Sequence, residues 1–174
     1  YFFTQRLPGA GGLPIGAEGK ALALLSGGYD SAVAAWRVMR RGVRVDFLFC
    51  NLAGRAYERQ VIQVAKVLSD LWAGGVHTRL HVVDFSEVVA HLKRETDPRL
   101  WQVLLKRQMF RAASELARRT GVQAIITGES IGQVSSQTLS NLRAIAPASE
   151  MLVLRPLIGL DKAEIVAEAQ RIGT

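Results

Sequence analysis

Short apolar runs recur along the chain at Ala21–Leu25, Val43–Cys50, Arg79–Phe85, Val122–Thr127 and Met151–Leu154, and each reads as a buried strand. Between them the period changes to that of a helix. Val61, Val64, Leu68 and Leu71 share one stripe of Arg55–Trp72, and Leu105, Met109, Ala112 and Leu116 do so within Pro98–Thr120. Further on, Asp161 and Glu164 have the spacing of an N-cap and its capping partner, which sets Lys162 in the first turn of a last helix. Strands alternating with helices long enough for a crossover predict an α/β fold, a doubly wound five-stranded parallel sheet with helices on both faces. Ligands of such sheets sit beyond the carboxyl ends of the strands, which places Ser26, Asn51, Thr127–Ser130 and Arg155 around one mouth. Residues 1–19 carry five glycines and two prolines without sustained periodicity and read as a linker.

Composition narrows the class. The chain has 174 residues, 49% hydrophobic and 21% charged, which suits one globular domain and argues against disorder. Nothing resembles a membrane span or a signal peptide, so a cytoplasmic protein with no membrane partner is expected. The lone Cys50 excludes an internal disulfide and suits a reducing compartment. Net charge is +7, with 17 arginines against 5 lysines. Clusters at Arg37, Arg40, Arg41 and Arg44, and at Lys93, Arg94, Arg99, Lys106, Arg107 and Arg111, point to an anionic partner such as nucleic acid, or to an arginine-rich genome with solvated helix faces.

The strongest chemical signal is Ser26-Gly27-Gly28-Tyr29-Asp30-Ser31, between a predicted strand and a predicted helix. Two glycines let backbone approach a ligand, and a helix start aims unpaired N–H groups at an anion. The loop holds no lysine, so it is not a Walker A loop. Asp30 beside a phosphate site would face it through a divalent cation such as Mg²⁺; a tight turn with Asp30 or Ser31 as N-cap is the alternative. Thr127-Gly128-Glu129-Ser130-Ile131-Gly132-Gln133 has the position of a ligand loop. Lys106 lies at the edge of an apolar stripe, where a lysine either snorkels or reaches a buried anion. Lys162 opposes the macrodipole of its helix unless an anion approaches. Cys50 reads as a small buried hydrophobe rather than a sulfur carrier, and His77, His81 and His91 lack metal-ligand spacing.

The hexad resembles the signature loop of the PP-loop ATP pyrophosphatases, the adenine nucleotide alpha hydrolase-like proteins. Gly9–Gly16, Leu24–Ser31, Arg40–Leu52, Leu104–Ala113, Thr127–Leu142 (TGESIGQVSSQTLSNL) and Leu154–Ile165 (LRPLIGLDKAEI) together resemble the ThiI-type tRNA sulfurtransferases, or 4-thiouridine synthetases, also called thiamine biosynthesis proteins. The resemblance implies ATP-dependent adenylation of a tRNA uridine, with release of pyrophosphate and AMP. Sulfur from a cysteine persulfide then gives 4-thiouridine and also feeds thiazole synthesis for thiamine.

It implies ATP and Mg²⁺ as cofactors, tRNA as substrate, a cysteine desulfurase as persulfide donor, and leaves a homodimer open. Carried over by motif, Leu24, Leu25, Ser26, Gly27, Gly28, Asp30, Ser31, Lys106, Gly128 and Gln137 bind the nucleotide, Asp30 holds its Mg²⁺, and Asp30 and Lys162 are catalytic. Family members also carry an amino-terminal THUMP-containing region and, beyond the matching part, a further cysteine or a rhodanese-like domain. Residues 1–19 are therefore expected to link from the first, and residues 20–174 to form a PP-loop domain truncated at its carboxyl end, incomplete for sulfur transfer alone. Other readings are another PP-loop tRNA-modifying ligase, or a nucleotide-dependent RNA-binding module without turnover.

Overall fold

The computed structural model describes residues 2–7, 9, 11–52 and 54–174. Five strands, β1 (Lys20–Leu24), β2 (Arg44–Asn51), β3 (Leu80–Asp84), β4 (Ala124–Ile126) and β5 (Leu152–Leu154), form one sheet in the order β3-β2-β1-β4-β5. Every pairing is parallel, with Leu22 opposite Asp46 on one side and Ile125 on the other. The doubly wound α/β expectation holds. Strand order reverses between β1 and β4, and that crevice is where a sheet of this kind offers a site.

Alternation along the central strands sorts the core into two layers. Ala21, Ala23, Val45, Phe47 and Phe49 face α1 (Tyr29–Met39), α2 (Arg55–Trp72) and α6 (Lys162–Ile172). Leu22, Leu48 and Cys50 face α3 (Ser86–Glu95) and α4 (Trp101–Thr120) on the other side. A smaller cluster of Phe110, Ile145 and Ala148 seats α5 (Leu139–Ile145) against α4.

Several boundaries and stripes differ from the sequence expectation. The strands are offset or trimmed by up to two residues at an end, because ladder pairing and not hydrophobicity ends a strand; β4 is held by three pairs on each side. In α2 the buried residues are Val61, Ala65 and Leu68, while Leu71 is 62% exposed. Trp72 takes the inward place instead, packing edge-on against Trp36 and donating its indole N–H to the Ile172 carbonyl at 2.9 Å. α4 starts at Trp101, past Pro98, and its buried residues are Leu105, Phe110, Ala113, Ser114 and Ala117, with Met109, Ala112 and Leu116 packed at the margin. Helices α3 and α5 have no counterpart in the sequence expectation.

Part of the leading segment packs on the domain. Tyr1, Pro8 and Ala10 of the expected 1–19 stretch lie outside the described residues. From Leu13 onward the backbone docks on the α1–β2 turn, with Leu13 N donating to Arg40 O at 3.0 Å, Gly16 N to Gly42 O at 2.8 Å, and Ile15 against the core.

Candidate nucleotide site at the β1–β4 switch

Where β1 ends, Gly27 takes φ +74°, a conformation that favours glycine. The chain then turns into α1 with Gly28 as N-cap and no side-chain cap, so neither Asp30 nor Ser31 caps the helix. Ser31 is used otherwise. Its hydroxyl donates to Gly28 O at 3.0 Å and accepts from Ser26 N at 3.1 Å, locking the loop into a ring around the first turn. The uncapped N-terminus leaves backbone donors and the positive dipole end facing the mouth.

From the facing strand, β4 delivers residues 127–133. Gly128 lies so near α1 that a Cβ there would fall 2.7 Å from the Asp30 carbonyl carbon and 2.8 Å from Ser31 N. Only glycine allows the two loops to meet. Between them opens a cavity of about 260 Å³ lined by Leu24, Ser26, Asp30, Ser31, Lys106, Met109, Phe110, Thr127, Gly128, Glu129 and Gln137. An adjoining recess of about 140 Å³ shares Leu24, Ser26 and Met109 and is otherwise walled by Leu25, Leu48, Phe49, Cys50, Leu52 and Tyr57.

Ser26, Asp30, Ser31, Lys106, Gly128, Gln137 and Leu24 thus meet in one cavity. Leu25 does not line it. Strand alternation turns Leu25 to the opposite core layer, where it is 3% exposed and borders only the smaller recess. Gly27 and Gly28 shape the loop without lining the cavity. Asn51 does not line the cavity either: its side-chain nitrogen donates to Glu58 Oε2 at 3.1 Å and its side-chain oxygen accepts from Gly54 N at 2.9 Å, organising the β2–α2 connection. Ser130 turns away, donating to Leu160 O at 2.6 Å, and Gln137 accepts from Ser130 N at 3.1 Å.

Lys162 opens α6 behind a complete Asp161–Glu164 capping box, and its Nζ reaches Asp30 Oδ1 at 2.6 Å. Gln133 Nε2 donates to Asp30 Oδ2 at 2.8 Å. The anion that Lys162 lacks on its own helix is supplied by α1. Lys106 reaches a buried anion too, Glu129, at 3.0 Å. The sequence puts Thr127, Glu129 and Gln133 in a ligand loop without giving any of the three a role; the misplaced Lys106 is the one sequence signal of a buried carboxylate. Burial pushes the Glu129 carboxyl up, but the Lys106 ammonium and the Arg155 guanidinium outweigh it and hold the group below the usual glutamate range. Burial pushes the Cys50 thiol up to about 12, so it is no ready nucleophile at neutral pH.

Whether the donors suit ATP and Mg²⁺ rests on groups present here. The uncapped start of α1 and Lys106 suit a polyphosphate. The Asp30 carboxylate and Gln133 Oε1, which is buried without a hydrogen-bond partner among the described residues, are hard oxygens suited to Mg²⁺. The described residues hold no cluster of three or more His, Cys, Asp or Glu for another metal.

Comparison with known proteins agrees with this architecture. A tRNA sulfurtransferase of Pyrobaculum aerophilum is 49% identical over the whole chain, and one of Photorhabdus laumondii is 51% identical over 97% of it. The chain spans 36% and 35% of those two relatives, about a third of each. Among solved structures, a 4-thiouridine synthetase in complex with RNA and with bound ATP superposes with a TM-score of 0.90 at 40% identity, covering 94% of this chain and 43% of that one. A predicted subunit of a tRNA methyltransferase from Methanocaldococcus jannaschii, at 13% identity and a TM-score of 0.61 over 87% of this chain and 74% of that one, shares the fold alone. Residues 16–174 match the family model described as thiamine biosynthesis protein (ThiI), and the chain belongs to that family.

Proposed function

We propose that this chain is the ATP-binding, adenylating domain of a tRNA sulfurtransferase that makes 4-thiouridine, with the same sulfur flow serving thiamine synthesis. The observation that carries the reading is the junction of two recesses at the β1–β4 switch, one carrying the hydroxyl and charged groups of Ser26, Asp30, Ser31, Lys106 and Glu129, one apolar. Such a pair suits a nucleotide whose phosphates and base differ in the same way. The triphosphate lies along Ser26–Ser31 and the start of α1, while the base enters the recess walled by Leu25, Leu48 and Phe49. Both relatives are named tRNA sulfurtransferases, and the 4-thiouridine synthetase was solved with ATP and RNA, which supports the same ligands here.

The chain's own groups supply charge and placement. Ser26 and Ser31 hold the loop so that its N–H groups already point at the phosphates, which removes reorganisation from the reaction. Lys106 offsets charge on the nucleotide from the α4 side. Lys162 does so from the α6 side, exchanging part of its contact with Asp30 for phosphate as charge builds on the α-phosphoryl group. Mg²⁺, when bound, would be held through Asp30, with Gln133 Oε1 as a second oxygen, and would draw charge off the leaving pyrophosphate.

Transfer RNA is the proposed substrate, and arginines of α4 and α5 without carboxylate partners among the described residues suit its phosphates. Between Trp101 and Ser149 the carboxylates are Glu115 and Glu129 alone. Glu115 takes Arg118 and Arg119, and Glu129 takes Lys106 and Arg155. Arg107, Arg111 and Arg143 are left without a carboxylate among the described residues. A cysteine desulfurase is the proposed persulfide source, since Cys50 is buried and protonated. A cytoplasmic setting fits a lone thiol; no helix among the described residues is long and apolar enough to cross a membrane. Mass spectrometry of tRNA nucleosides tests the whole reading: a strain lacking the gene should lose 4-thiouridine and regain it on complementation, and unchanged 4-thiouridine would contradict it.

A further inference from the structure

Glu129 is 3% exposed, yet it carries a full charge and two cations. Its Oε1 accepts from Lys106 Nζ at 3.0 Å; its Oε2 accepts from Arg155 Nε at 2.8 Å and from Thr127 Oγ1 at 3.1 Å. Oε1 thus holds a cation that lines the nucleotide cavity and Oε2 holds one that does not, with Thr127 of the cavity wall sharing Oε2. Lys106, Thr127 and Glu129 line that cavity, whereas Arg155 does not. Arg155 has no other carboxylate among the described residues, and its Nη2 is buried without a partner, so it is committed to Glu129.

We propose that Glu129 is a positioning residue: it fixes the Lys106 ammonium in the nucleotide cavity, and Arg155 acts on the nucleotide only through Glu129. The inference rests on the reading that ATP occupies this cavity.

The physical need is clear from the lysine's chemistry. Four flexible bonds leave a lysine ammonium free to sample many positions, and placing it beforehand removes that entropy from binding. A carboxylate is the natural anchor, but one buried beside a polyphosphate site would repel the ligand if it stood alone. Arg155 answers that charge from behind, so Lys106, Glu129 and Arg155 together remain net positive and still attract phosphate. Glu129 is also unsuited to proton transfer, because the two cations keep it ionised and weakly basic.

A double-mutant cycle on ATP affinity tests this, read by calorimetry on the chain, with thermal melts to confirm folding. Glu129→Gln and Arg155→Met should each weaken ATP binding about tenfold when Lys106 is present, and less than about twofold in a Lys106→Ala background. A merely structural role would change affinity by the same factor in both backgrounds, and that result overturns the proposal. So does unchanged affinity in either variant. Should Glu129→Gln fail to fold, Arg155→Met, lying outside the cavity, decides by the same criterion. A wild-type chain that binds no ATP would overturn the nucleotide reading and this inference with it, whereas a wild type that binds ATP without the coupling overturns the inference alone.

Discussion

Lys162 Nζ and Asp30 Oδ1 stand 2.6 Å apart although 132 positions separate them in sequence, and the contact ties the first turn of α6 to the first turn of α1. Asp30 is favourable at its own helix start and Lys162 is not, so the pair offsets the dipole cost at Lys162. Both side chains are partly exposed, which keeps the pair's share of stability small. Their value lies in the site.

Lys162→Ala should therefore slow ATP-dependent adenylation about a hundredfold, the scale for deleting one preorganised charge, with a level melting temperature. Single-turnover kinetics beside a thermal melt checks both parts. Near-normal turnover would place Lys162 on an ordinary surface.

Asp30→Ala should cripple turnover more than AMP binding, because the leaving pyrophosphate and its Mg²⁺ are absent from the AMP complex. Comparing AMP affinity with the rate of pyrophosphate release reads the difference. Equal losses in both would remove the metal role from Asp30.

Cys50→Ser should leave adenylation intact and cost only modest stability, as suits a buried thiol in an apolar strand. Loss of sulfur transfer in a folded full-length variant would restore Cys50 as a carrier.

Glu129 predicts a pH dependence. Its folded pKa is lowered, so protons bind the unfolded chain more readily. The stability it contributes is complete above the ordinary glutamate value of about 4.3 and is lost as pH falls below it toward the folded value. Acid unfolding of Glu129→Gln should accordingly be shallower than that of the wild type in this window. Parallel acid profiles would show that Glu129 is not held ionised.

Arg111→Glu and Arg143→Glu should weaken tRNA binding and make it less sensitive to salt, the slope falling by roughly one unit for each phosphate no longer neutralised, while ATP affinity stays level. Binding measured across a salt series checks this. An unchanged slope would move the RNA to another face.

The parallel sheet and the glycine turn between β1 and α1 are legible in the sequence because apolar runs and glycine spacing are local signals. The short α3 is not: Val88, Val89 and Leu92 are its apolar contacts amid charged neighbours. Leu71 misleads because an apolar residue near a stripe looks inward until Trp72, one position on, finds Trp36 and Ile172. Lys106 announces a buried anion without naming it, since its partner lies 23 residues away on the loop after β4. Likewise the oddity of Lys162 is visible in its helix, but Asp30 as its partner appears only once α1 and α6 pack together.

The most direct test of the central claim follows the α-phosphate. ATP labelled at that position, incubated with the chain, Mg²⁺ and tRNA, should yield label in AMP or on the RNA, with pyrophosphate released in equal amount, and Asp30→Ala and Lys162→Ala should slow its release sharply, Lys162→Ala by about a hundredfold. Label appearing in ADP, with free phosphate instead of pyrophosphate, would contradict adenylation at this site.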